Sequence, residues 1–119
     1  MSADSTVAEG RKGEEVARRF LENLGFTILE TNYRYGHGEI DIIARDGEDL
    51  VFCEVKARTN DEYGEPEYAV TPQKQTQLKR IARGYMYERR LTAQACRFDV
   101  VAIRFHEGVP ELNHLKNAF

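Results

Sequence analysis

Apolar and polar residues alternate along this chain in two different rhythms, and the rhythm changes mark its elements. Val16, Ala17, Phe20, Leu21 and Leu24 fall at helical spacing, and Gly25 supplies a stop. The preceding residues, 1 to about 10, are small and polar and read as a frayed terminus. Phe26 to Leu29 has strand character, and Tyr33, Tyr35, Gly36 and Gly38 read as a loop or irregular edge. Two strands follow, Glu39 to Arg45 and Leu50 to Arg58, separated by Asp46-Gly47-Glu48-Asp49 and close enough to form a hairpin. Residues 59 to 71, with Gly64 and Pro66, read as an exposed loop. From Pro72 to about Arg90, Leu78, Ile81, Ala82, Tyr85 and Met86 define an amphipathic helix with proline in its first turn. Arg97 to Phe105 is a buried strand that Gly108 and Pro110 end, with room for one short edge strand after it. The order α-β-β-β-α-β predicts a single α/β domain over 11–119, a sheet with helices packed on it.

Period-two geometry puts chemistry on the hairpin. Glu39, Asp41 and Ile43 share one face and Ile40 and Ile42 the other. On the next strand Phe52, Glu54 and Lys56 lie opposite Cys53, Val55 and Ala57. With a four-residue turn, position 45 pairs with 50 and Asp41 falls opposite Glu54. With a turn of Asp46-Gly47 alone, Asp41 pairs with Phe52 and Glu54 is its diagonal neighbour. Both registers bring two carboxylates within reach, and like charges in that arrangement destabilise a sheet unless something offsets them. Lys56 is one candidate and a divalent cation is another. A solvated Asp-Glu-Lys cluster is the plain alternative. The density of Ile, Val, Leu and Phe around these charges argues instead for a central hairpin whose acids have a function. Glu14 lies on the core-facing stripe of the first helix. Dipole stabilisation at a helix start accounts for it, and so does a site residue aimed at the sheet.

Composition refines the picture in two places. The 119 residues carry 17 Lys and Arg against 20 Asp and Glu, a net charge of −3, which is not the balance of a dedicated nucleic-acid coat protein. Residues 73–97, however, hold seven basic residues against the single acid Glu88, so one face can be basic. The two cysteines, Cys53 and Cys96, form no CxxC pair, and His106 and His114 have no matching ligand spacing, which argues against a disulfide framework and a zinc site. No apolar run is long enough for a membrane span, and the N-terminus lacks the features of a secretory signal; both point to the cytoplasm.

Asp41 followed by Glu54-Val55-Lys56 resembles the D…(D/E)xK signature of the restriction-endonuclease-like, or PD-(D/E)xK, nucleases. Gly13-Glu14, Gly25-Phe26, Gly38-Glu39-Ile40-Asp41, Val51 to Arg58, Lys74 and Arg97-Phe98-Asp99 together resemble the YraN-type family of small bacterial proteins, over roughly residues 9 to 107. That family is similar in turn to archaeal Holliday junction resolvases and to the tRNA-endonuclease-like domain. The resemblance implies a restriction-endonuclease-like core with a mixed central sheet, and a metal-dependent phosphodiesterase site of Glu14, Asp41, Glu54 and Lys56. Asp41, Glu54 and the backbone carbonyl of Val55 would hold Mg²⁺ or Mn²⁺, and Lys56 would orient or deprotonate water. Arg58, Lys74, Lys79, Arg80, Arg83 and Arg90 would follow a phosphate backbone, DNA in preference to RNA. A homodimer would suit a junction-cleaving enzyme, which needs two sites related by symmetry. Tyr33 and Tyr35 suit rim packing better than base stacking, and His37, between two glycines, is a candidate mobile site residue. The competing function is a nucleic-acid-binding or scaffold module that keeps the fold without catalysis.

Overall fold

The computed structural model describes residues 3–59, 69–91 and 93–119. Among the described residues seven elements occur, in the order α1 (Ala3–Asn23), β1 (Thr27–Tyr35), β2 (Gly38–Asp46), β3 (Asp49–Thr59), α2 (Pro72–Glu88), β4 (Cys96–His106) and β5 (Val109–Leu115). The strands form one sheet in that same order. All neighbours are antiparallel except β3 and β4, which run parallel across the α2 crossover. This mixed sheet between two helices is compatible with a restriction-endonuclease-like core. The loop expected at 59–71 lies for the most part outside the described residues.

Each face of the sheet buries its own core. Ala17 and Leu21 of α1, with Phe26, cover Ile42, Ala44, Val51, Cys53, Val101 and Ile103. On the opposite face Leu78, Ile81, Ala82, Tyr85 and Met86 of α2 cover Ile40, Ile43, Leu50 and Phe52. This burial of two apolar stripes on two sheet faces is the main stabilising term. The α1 stripe matches the sequence pattern except at Leu24, which is half exposed. Gly25 stops the helix in a left-handed conformation (φ 95°). Thr71 caps α2, its hydroxyl accepting from the Lys74 N–H at 3.2 Å with Pro72 in the first turn. Helix α2 ends at Glu88, so Arg90 lies beyond it with φ 58° and does not share its basic face.

Of the two readings for Tyr33 and Tyr35, the irregular edge holds: both belong to β1, an edge strand with a register shift between Ile28 and Glu30, which pairs with β2 down to Tyr35↔Gly38, and only Gly36 and His37 form the turn. Glycine clears the way for this hairpin tip: a Cβ on Gly38 would lie 2.4 Å from Ile81 Cδ1, and one on Gly84 would lie 2.8 Å from the Tyr35 ring. Strict alternation fails on β2. Ile40 joins Ile43 under α2, whereas Ile42 packs under α1. The β2–β3 ladder is regular from Asp46↔Asp49 to Ile42↔Cys53 and then ends, so the strand is free to turn at Asp41.

Candidate active site

The point where β2 leaves β3 is where the acids collect. The hairpin takes the four-residue-turn register, Arg45↔Leu50, which directs Asp41 toward Glu54. Beyond the end of the ladder a side chain replaces a backbone acceptor: Asp41 Oδ2 accepts from the Val55 N–H at 2.8 Å. Val55 therefore meets Asp41 through its amide N–H. The Glu54 carboxyl stands close enough to Asp41 to act on its acidity.

These surroundings change the acidity of Asp41. Burial pushes its pKa up first, the hydrogen bond and charge of Glu54 add to the rise, and Glu14 adds a little more. The Val55 N–H opposes them, and the balance leaves Asp41 at about 8. At neutral pH it holds a proton that a neighbouring cation would displace.

Glu14, near the start of the core stripe of α1, arrives from the opposite layer. Its carboxylate accepts from Asn32 Nδ2 at 2.9 Å, and the same amide donates to Glu39 at 2.7 Å. Asn32 reaches both because it adopts the left-handed region (φ 52°) next to the irregular stretch of β1. One carboxylate oxygen each from Glu14, Glu39 and Asp41 lies within 4.8 Å of the others, a spacing that a single cation can bridge. Arg34 stands 3.9 Å from Glu39 at the rim.

Glu54 closes the group from β3. Its Oε2 is buried with no hydrogen-bond partner among the described residues, and Lys74 Nζ at the start of α2 stands 3.7 Å from it. Lys56, two residues on and on the same strand face, donates through Nζ to the Ala69 carbonyl just ahead of α2. Arg58 lies further along β3, half-buried beside Lys56 and Arg104. Of the basic residues expected to follow a backbone, only Lys74 touches the acidic group. Lys79, Arg80 and Arg83 are exposed along α2.

Of the expected set Glu14, Asp41, Glu54 and Lys56, the three acids lie together, and Lys56 follows Glu54 along β3 with its amine on the Ala69 carbonyl. The sequence pattern passes over Glu39 and Asn32. Glu39 was visible, two residues from Asp41 on the same face, but nothing in the pattern distinguished it from an ordinary edge acid. Asn32 carries no sequence signal, since its role depends on a left-handed backbone inside a strand.

A chemically suitable centre of this kind can be compared with known proteins. The profile described as "Uncharacterised protein family UPF0102" matches residues 13–103. A UPF0102 protein of Geotalea daltonii is 50% identical over 111 residues, covering 92% of this chain and 87% of the relative. One from Pelotomaculum thermopropionicum is 44% identical over 119 residues, covering 98% and 99%. One from Geobacter metallireducens is 46% identical over 110 residues, covering 92% and 90%. Among the described residues no helix is long and apolar enough to cross a membrane.

Proposed function

The chain belongs to the uncharacterised protein family UPF0102, and from that starting point we propose that it is a metal-dependent phosphodiester hydrolase acting on nucleic acid. The observation that carries this reading is the convergence of Glu14, Glu39 and Asp41, their oxygens within 4.8 Å, beside a Glu54 that acts on the acidity of Asp41. Burial first, and the neighbouring Glu54 and Glu14 after it, raise the Asp41 carboxyl to about 8. The donor set is all oxygen, which suits Mg²⁺ or Mn²⁺. The buried Oε2 of Glu54 accepts no hydrogen bond among the described residues and has only the Lys74 amine at 3.7 Å, which leaves it free to bind a cation.

Glu14, Glu39, Asp41 and Glu54 would hold the ion. When bound, the cation supplies charge neutralisation at a phosphate and a more acidic water. The protein supplies the rest. Asp41 gives up its proton on loading, and the Val55 N–H keeps its carboxylate aimed inward. Lys56 exchanges the Ala69 carbonyl for water or a phosphate oxygen and balances the acids. Lys74, exposed at its tip and already beside Glu54, offers a cation to the neighbouring phosphate.

One observation favours the competing reading of a non-catalytic module. Asn32 already bridges Glu14 and Glu39 with one amide, which ties them structurally. A cleavage screen separates the two. Branched, single-stranded and duplex DNA are incubated with Mg²⁺ and with Mn²⁺, beside Lys56→Ala and Asp41→Asn. Metal-dependent cleavage lost in both variants supports the hydrolase. Binding without cleavage under all these conditions overturns it and leaves the module.

A further inference from the structure

A second feature lies on the other flank of α2. A cavity of about 490 Å³ opens between this helix and the start of β4. Its floor is apolar, made by Ala82, Met86 and Phe98, and Cys96 lines its wall. Lys79 and Arg83 stand at its rim beside Tyr87. The volume falls in the usual range of small-molecule pockets, roughly 300–1,000 Å³.

The aromatic residues are not equivalent. Phe98 is stacked between Phe52 (5.5 Å) and Phe119 (5.2 Å), so both its faces are taken and it offers only an edge. Tyr87 is 76% exposed at the mouth of the cavity. Its face is open to a planar guest. Lys79 leans over the Phe119 ring, and neither it nor Arg83 forms an ion pair with an acid among the described residues. One free aromatic plate, an apolar floor and two cations at the rim complement a planar heterocycle that carries a phosphate.

We propose that this groove binds one unpaired nucleotide of a nucleic-acid strand, its base on Tyr87 above Met86 and Phe98 and its phosphate at Lys79 and Arg83. The proposal rests on the nucleic-acid reading given above and deepens it by naming a substrate class. Lys74 touches Glu54, and Arg83 is nine residues further on, about 14 Å along the helix axis. A strand whose phosphate lies at the acids therefore crosses the exposed face of α2, past Arg80, and delivers a base to the groove a few nucleotides away. A continuous duplex cannot supply that base without unpairing it. The substrate is a strand that is already unpaired near the cleaved bond: a branch, a flap or a single strand.

Cys96 reports directly on the groove. It is the exposed thiol of the pair, and Cys53 is buried. The experiment measures the rate of Cys96 alkylation in metal-free buffer, so that cleavage is silent, while anisotropy follows binding of a labelled single-stranded oligodeoxynucleotide. Three ligands are compared: the oligonucleotide, an abasic strand of equal length, and dAMP. The expected result is at least a fivefold slowing of alkylation by the oligonucleotide and little by the abasic strand. Tyr87→Ala, at an exposed position, should lose about tenfold in affinity and lose the protection. Asp41→Asn should keep the protection, whatever it does to cleavage, which separates failure of the groove from failure of the hydrolase. Absence of binding, an alkylation rate unchanged by bound strand, equal protection by the abasic strand, or protection by dAMP alone would each overturn the proposal.

Discussion

Asp41 and Glu54 meet carboxyl to carboxyl at the point where β2 and β3 part, and the Val55 N–H holds Asp41 in place from the strand beyond. Two acids in contact are tolerated because one of them keeps its proton.

That proton links stability to pH. The folded pKa of Asp41, about 8, lies above its ordinary value of 3.8, so between those values the folded chain binds a proton that the unfolded chain has released. In metal-free buffer stability should therefore fall as pH rises through this window, by up to about 1.4 kcal/mol per pH unit. Asp41→Asn keeps both contacts, since its amide oxygen can accept from Val55 and its nitrogen can donate to Glu54. It should flatten the dependence and be at least as stable as the parent near pH 8. Urea titrations from pH 5 to 9 check this, and an unchanged slope in the variant would locate the linked proton elsewhere.

Divalent cations should act in the opposite sense. Mg²⁺ or Mn²⁺ at about 100 times its Kd should stabilise the parent by about 2.7 kcal/mol, with release of a proton. Glu39→Gln is the informative variant, because Glu39 belongs to the structural cluster but not to the sequence signature. Its thermal response to metal should shrink several-fold, while Glu15→Gln on the outer face of α1 leaves it intact. Equal responses would remove Glu39 from the site.

Lys56→Met keeps the aliphatic stem and removes the charge. Loss of the hydrogen bond to the Ala69 carbonyl should cost only about 0.5–1.5 kcal/mol. Cleavage should drop by roughly 10²–10⁴. Stability and single-turnover rates measured together would show whether the lysine serves the loop ahead of α2 or the reaction.

Gly13→Ala sets two known effects against each other. Alanine in a helix interior is worth about 1 kcal/mol over glycine. Here its Cβ would lie 2.5 Å from Ala57 Cβ, well inside contact, and overpacking costs about 1–3 kcal/mol. The clash should win. Relief requires α1 to move away from β3, carrying Glu14 from its place, so cleavage should fall as well. Ala57→Gly in the same chain should restore part of both, and a Gly13→Ala variant more stable than the parent would refute the close approach.

Much of this arrangement was readable from residue order, for physical reasons that differ by element. The apolar stripe at Leu78, Ile81, Ala82 and Tyr85 leaves α2 no other buried face, and the polar Asp46–Asp49 segment fixes the hairpin register at Arg45↔Leu50. From that register follows the Asp41–Glu54 contact. What was not readable depends on tertiary geometry. Tyr33 and Tyr35 resemble loop residues until Gly84 and Gly38 make space for the hairpin tip against α2. The turn-over of β2 at Asp41 follows from the end of a ladder that pattern alone extends. Asn32 acts through a backbone conformation that its neighbours impose.

The parallel β3–β4 ladder also bears on how the protein assembles. Its partners, from Leu50↔Cys96 to Thr59↔Phe105, are a constant 46 residues apart, whereas β1, β2 and β3 pair through adjacent turns. Closing the long loop costs chain entropy before any contact rewards it, so the three-strand meander gains its structure ahead of the seam. Glu39, Asp41 and Glu54 all sit on that meander, while Lys74 and the groove of Tyr87 arrive with the crossover. Conservative truncations such as Ile43→Val should slow folding, and Val101→Ala should mainly speed unfolding. The acids of β2 and β3 would then gather early in folding, before the helix that brings Lys74 to Glu54 has docked.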